Sequence, residues 1–147
     1  MKSSYKSLIV QTAIGALIMY GVMFVMIDRL SSFYNNLNMF YMTLMMVAPM
    51  VVLMIVTMPG MFPLKRTNAI LLVGCVAAFL GSYGLIRTQT TIGDTQFLRS
   101  MIPHHSGAVL MCQQAKLTDP EIRDLCANII KSQRQEIEQM EAILSRK

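Results

Sequence analysis

The chain has little charge, histidine or cysteine, and each scarcity removes a class of function. Only 14% of its 147 residues are Asp, Glu, Lys or Arg, while 54% are hydrophobic. Soluble globular domains carry about a quarter charged residues, so this balance argues for a membrane protein. There are two histidines in all, His104 and His105, side by side. None lies in a long apolar run, which excludes a bis-histidine haem within a membrane. The three cysteines, Cys75, Cys112 and Cys126, form neither a C-x-x-C redox motif nor a zinc knuckle. Paired carboxylates, a nucleophile–base set and a phosphate loop are all missing, and the chain is not read as an enzyme. The net charge of +5 is scattered in short segments, without a basic stripe or interleaved aromatics. It reads as topology signal and headgroup contact, and nucleic acid is not an expected partner.

Three segments are apolar over the roughly 20 residues that a bilayer crossing needs. They are Leu8 to Ile27, Met39 to Met58 with Pro49 inside it, and Ala69 to Ile86. Lys2, Lys6, Lys65 and Arg66 flank them on one side; Arg29, Arg87 and the more distant Arg99 lie on the other, partly offset by Asp28 and Asp94. This bias places the N-terminus in the cytoplasm and the C-terminal region outside it. The third segment carries Gly74, Ala77, Ala78, Gly81 and Gly84, a small-residue face suited to close helix packing.

After Arg87 the pattern becomes amphipathic. It predicts one helix from about Thr95 to Lys116, the turn "LTDP", and a second helix from Pro120 to about Leu144. Asp119 is the expected N-cap, with Pro120 at the first helical position and Glu121 near the positive helix end. The expected fold is all-α: a three-helix membrane domain over residues 1–87, then a helical hairpin over 88–147. Two helices bury little core alone, so the hairpin is expected to pair with a second copy or to lean on the membrane part.

The histidines sit in "MIPHHSGAVLM", residues 101–111, between two of the fifteen methionines. In a helix Met101 is three and four residues before the imidazoles, and Met111 is seven after His104, so an imidazole and two thioethers can share a side. Pro103 removes a backbone donor at this point and favours a bend. Folding the hairpin about Thr118 and Asp119 sets His105 against Gln133, Met101 against Ile137 and Cys112 against Cys126, with Met140 near Met101. Neutral imidazole with thioether suits Cu(I) or Ag(I) better than zinc or magnesium. Cys112 and Cys126 are left as either a disulfide or extra ligands. The plain alternative is a histidine pair that caps the helix or bonds a carboxylate.

The second apolar segment adds Met42, Met46, Met50, Met54 and Met58 at steps of four, and the first adds Met19, Met23 and Met26. A step of four drifts about 40° per repeat, so the row winds slowly around its helix. The row is similar to the M-x-x-x-M pattern of the eukaryotic high-affinity copper transporters, which would make it a membrane metal path. Ordinary packing by a flexible side chain is the other reading.

"FLRSMIPHHSGAVLM" followed by "DPEIRDLCANIIKSQRQEIEQM" resembles the family known as domain of unknown function 305. The likeness runs from Asp94 to Leu144, about a third of the chain, on Asp94, Phe97, Met101, Pro103, His104, His105, Ala108, Met111, Ile129, Gln133, Glu136, Ile137 and Met140. It implies a ferritin-like bundle, of which this chain holds half, completed by oligomerisation. It also implies copper or silver bound outside the cytoplasm by Met101, His104, His105, Met111 and Met140; in that reading Gln133 and Glu136 are expected to orient the imidazoles. Cys112 and Cys126 stand where that family usually has small residues.

The expected function is copper handling or tolerance by a protein of the bacterial inner membrane whose periplasmic hairpin binds Cu(I) or Ag(I). No organic cofactor is expected; the expected partners are the metal ion, the bilayer, a second copy and other copper-handling proteins. The alternatives are a transporter that uses the methionine row and a structural or regulatory membrane subunit without metal.

Overall fold

The structure, a computed structural model, describes residues 2–147, with side chains from Ser4 onward. The Lys2 side chain, one of the charges used to orient the chain, lies outside the described residues. Five α-helices follow in order, α1 (Lys2–Val22), α2 (Leu37–Thr57), α3 (Lys65–Thr88), α4 (Asp94–Gln114) and α5 (Pro120–Leu144), with a short 3-10 helix at Leu30–Ser32 between the first two. Among the described residues there is no strand. The protein is all-α, and α1, α2 and α3 are each long and apolar enough to cross a membrane.

The chain divides into two units, residues 1–22 with 38–91, and residues 23–37 with 92–147. This differs from the expected boundary at residue 87 in one important way. The loop between α1 and α2 belongs with the C-terminal unit.

In the first unit α2 is the inner helix. Its Val47, Val51 and Ile55 pack with Leu8 of α1 and with Phe62, and Leu71, Leu72 and Cys75 of α3 close over them. Pro49 costs α2 one backbone hydrogen bond without ending it. Polar ties hold both ends. Tyr5 donates its hydroxyl to Asn68 Oδ1 at 2.8 Å and accepts from the Leu64 N–H at 3.2 Å. At the opposite end Tyr41 and Thr91 share a hydroxyl hydrogen bond of 2.9 Å, and the Asn38 and Gln89 amides pair. Ile9, Leu17, Leu53, Val73 and Leu80 point outward, as the lipid-facing sides of spanning helices do. The small-residue face of α3 is not closed by this chain, since a Cβ at Gly74, Gly81 or Gly84 would meet nothing within 4 Å.

The first helix corrects the expected span of Leu8 to Ile27. It starts earlier and ends at Val22, and Met23–Leu37 turns away as an irregular segment. Hydropathy reports removal from water, and here protein rather than lipid accomplishes it for part of the run. Phe24 is buried and its ring lies 4.2 Å from that of Phe33.

In the second unit α4 and α5 pack along a core of Leu98, Ile102, Ile137 and Met140, with Tyr34 of the loop, Met101, Ile143 and Leu144 around it. Ile102, Val109 and Ser106 are fully buried. Two helices would bury little on their own; the loop adds a third side. Asp28 receives a hydrogen bond on its carboxylate from the Ser106 hydroxyl, and its backbone N–H donates to the same hydroxyl at 2.7 Å. Gln96 Oε1 accepts from the Leu37 N–H at 3.0 Å.

Candidate functional site

The site is built on the middle of α4 and the C-terminal half of α5, whose start is fixed by its cap. Asp119 Oδ1 accepts from the Glu121 and Ile122 N–H groups at 2.8 and 3.2 Å, which satisfies two of the four N–H groups that any helix start leaves open. α4 continues through Pro103, just before the histidines. Proline has no N–H to give to the carbonyl of Arg99. Asn36 of the loop supplies the replacement, its Nδ2 donating to that oxygen at 3.4 Å. The freed carbonyl expected beside the histidines thus has a partner from outside the helix.

His104 is exposed, and its ring centroid lies 5.9 Å from that of His105 at an angle of 60°. His105 faces α5 with a side chain 13% exposed, and its Nδ1 stands 2.9 Å from Glu136 Oε2. The carboxylate lies off the direction of the N–H, so this is an electrostatic contact rather than an aligned hydrogen bond. Burial pushes the His105 pKa below the usual histidine value, the Glu136 charge opposes that, and the neighbouring His104 adds to the lowering. The result is an imidazole that stays neutral at neutral pH, the form that coordinates metal.

Met101 and Met140 come together from α4 and α5 in one apolar cluster, Met140 buried and Met101 half-buried. Met111 does not join them. It is exposed, and ten residues of helix put it about 15 Å along α4 from Met101. Gln133, expected opposite His105, is half-buried nearer the turn; the contact is made one helical turn further on, by Glu136. Among the described residues no three or more His, Cys, Asp or Glu side chains converge. The donor shown against His105 is the Glu136 carboxylate; Met101 lies one helical turn before His105 on α4, and Met140 one turn after Glu136 on α5.

Cys112 and Cys126 are joined as a disulfide with Cα atoms 5.2 Å apart, which ties the two helices near their connecting turn. In this state neither sulfur is a thiolate, so the pair does not act as extra ligands. In the first unit the methionine row of α2 splits. Met42, Met46 and Met58 are exposed while Met50 and Met54 turn inward, Met54 onto the core. The five do not line a continuous interior path within one chain.

Met26, counted with the first span, sits instead on α4, its backbone oxygen 3.5 Å and its Cβ 3.8 Å from where a Cβ on Gly107 would stand. The contact is made by its backbone and Cβ, and the residue is 46% exposed.

Comparison with known proteins agrees with the motif. The family profile described as Domain of unknown function (DUF305) matches residues 84–144. An uncharacterized protein of Acanthamoeba polyphaga mimivirus is 38% identical over 111 residues, which cover 74% of this chain and 71% of that protein. The chain belongs to the DUF305 family. The DUF305 match takes in all of α4 and α5, with Met101, His104, His105, Glu136 and Met140. The likeness to the viral protein is longer than the DUF305 match and so extends beyond these two helices. No solved structure matches the chain.

Proposed function

We propose that this DUF305 protein is a membrane-anchored copper-handling protein whose α4–α5 hairpin binds Cu(I) or Ag(I) on the extracytoplasmic side. Met101 and Met140 supply sulfur and His105 supplies nitrogen, with His104 and Met111 available to a second copy or to a receiving protein. The observation that carries the reading is the gathering of Met101 and Met140, from different helices, in one cluster, each one helical turn along its helix from the contact between His105 and Glu136. Thioether is a poor ligand for zinc and a good one for cuprous and silver ions. Glu136 stands against His105 Nδ1, which leaves Nε2 as the nitrogen open to the metal. The hairpin as half of a four-helix bundle, with the second copy completing it, belongs to the same proposal, as does a cytoplasmic N-terminus in an inner membrane.

The test is a titration of the full-length protein in lipid nanodiscs with Cu(I), in competition with a chelator of known affinity, beside Zn(II). Tight cuprous binding, lost in the His104→Ala/His105→Ala double variant and unmatched by zinc, is the expected result. Equal affinity for the two metals, or binding indifferent to the histidines, overturns it.

A further inference from the structure

The loop Met23–Leu37 does more than brace α4. It turns an apolar edge to the outside that its own unit leaves uncovered. Leu30 is 89% exposed and Val25 74% exposed. Leu30 exceeds every other large apolar side chain described, including Leu17 at 75% on the outer face of α1. Phe33 adds a half-exposed ring held in place by its contact with Phe24. A leucine this bare is ordinary on a helix surrounded by lipid and unfavourable in water.

Connectivity says what covers it. The loop leaves one membrane-spanning helix at Val22 and enters another at Leu37. A segment this short between two crossings is held at the boundary between hydrocarbon and water. Its charges are paired at this edge. The Asp28 side chain is only 5% exposed, turned in toward Ser106, and Arg29, 52% exposed beside Leu30, donates its Nε to the Asp28 carboxylate at 3.3 Å. An exposed cation next to bare apolar side chains is the pattern of an interfacial segment, with the cation at the level of lipid phosphates.

We infer that Val25, Leu30 and Phe33 insert into the bilayer interface, so that the unit carrying α4 and α5 rests on lipid through this loop. The partner is the lipid surface itself. The ordering of the loop by Ser106, Asn36 and Gln96 then has a purpose beyond packing, because it presents three apolar side chains in a fixed arrangement.

The sequence contains no tryptophan, so a single introduced one reports without background. Leu30→Trp and Val25→Trp, at positions where the side chain meets little protein, are made in the full-length protein and reconstituted in phosphatidylcholine vesicles containing some phosphatidylglycerol. Gln113→Trp, exposed on α4, is the aqueous control. The expected result is blue-shifted emission for Leu30→Trp and Val25→Trp, loss of most intensity when the vesicles carry lipids brominated near the headgroup end of the acyl chain, and little loss with iodide. Iodide quenching as strong as in Gln113→Trp, without bromolipid quenching, would place the loop in water and overturn the proposal. Shielding from both quenchers would mean that protein, such as a second copy, covers the loop, and would overturn it equally.

Discussion

His105 Nδ1 and Glu136 Oε2 stand 2.9 Å apart across the two helices, yet burial outweighs the carboxylate and the imidazole's pKa is lowered. The unfolded chain therefore takes up a proton near the ordinary histidine value of 6.5, before the folded one does. Stability contributed by this group is complete above that value and falls as pH drops toward the folded pKa. Glu136→Gln removes the influence that raises the pKa, so the His105 titration followed by NMR should move to lower pH. A move to higher pH would mean that the carboxylate is not what opposes burial.

The disulfide between Cys112 and Cys126 closes a short loop, with a sequence separation of 14. Constraining an unfolded loop of this size is worth about 3 kcal/mol in the chain-entropy account. The Cys112→Ala/Cys126→Ala variant should lose a comparable amount, read as a lower melting temperature of the α4–α5 region. Reductant should lower the wild type to the same level and leave the variant unchanged.

Met140 separates packing from metal binding. Met140→Ala opens a hole in the cluster of Leu98, Ile102 and Ile137 and should cost roughly 2–5 kcal/mol. Met140→Leu keeps the volume and should cost less than about 1.5 kcal/mol. The Met101→Leu/Met140→Leu pair should therefore stay folded while losing cuprous affinity far more than zinc affinity. Retained cuprous affinity would remove the two thioethers from the site.

Ser106 ties the loop to α4 by two hydrogen bonds to Asp28, one of them to a nearly buried carboxylate. Hydrogen bonds to charged groups contribute about 1.5–3 kcal/mol. Ser106→Ala should speed amide hydrogen exchange over Met23–Leu37 and leave the protection of α2 and α3 as it was. Uniform loss of protection across the chain would point to general unfolding instead.

The parts of this molecule that were legible in its sequence are those in which local chemistry and final environment agree. Asp119, Pro120 and Glu121 start a helix because cap, fixed φ and helix dipole act within four residues, and α5 runs Pro120–Leu144 as its spacing predicts. α2 and α3 are apolar enough that their type is not in doubt, although their ends differ from the expected ones by one to four residues. Folding two helices about one turn sets Cys112 against Cys126, where the error in register is smallest, and leaves open whether they pair or ligate; the structure joins them as a disulfide. Further from the turn the register drifts, and Glu136 rather than Gln133 meets His105. The loop was illegible for a different reason. Met23, Phe24, Val25, Met26 and Ile27 satisfy any measure of apolarity, and nothing in their order tells whether lipid or a helix distant in sequence will cover them. Asn36, whose task is to answer the carbonyl that Pro103 frees, has no meaning until Pro103 is beside it.

Asp28 and Ser106 are 78 residues apart in sequence and touch, and between them the chain passes through α2 and α3. Their contact is a statement of parity. Two groups can meet on one face of a membrane only if the chain between them crosses an even number of times, so α2 and α3 must both cross or neither can. A single insertion failure would strand the loop and the two C-terminal helices on opposite faces, with Ser106, Asn36 and Gln96 deprived of their partners at once. The hydrogen bonds of the loop are therefore compatible only with an even number of crossings between Asp28 and Ser106.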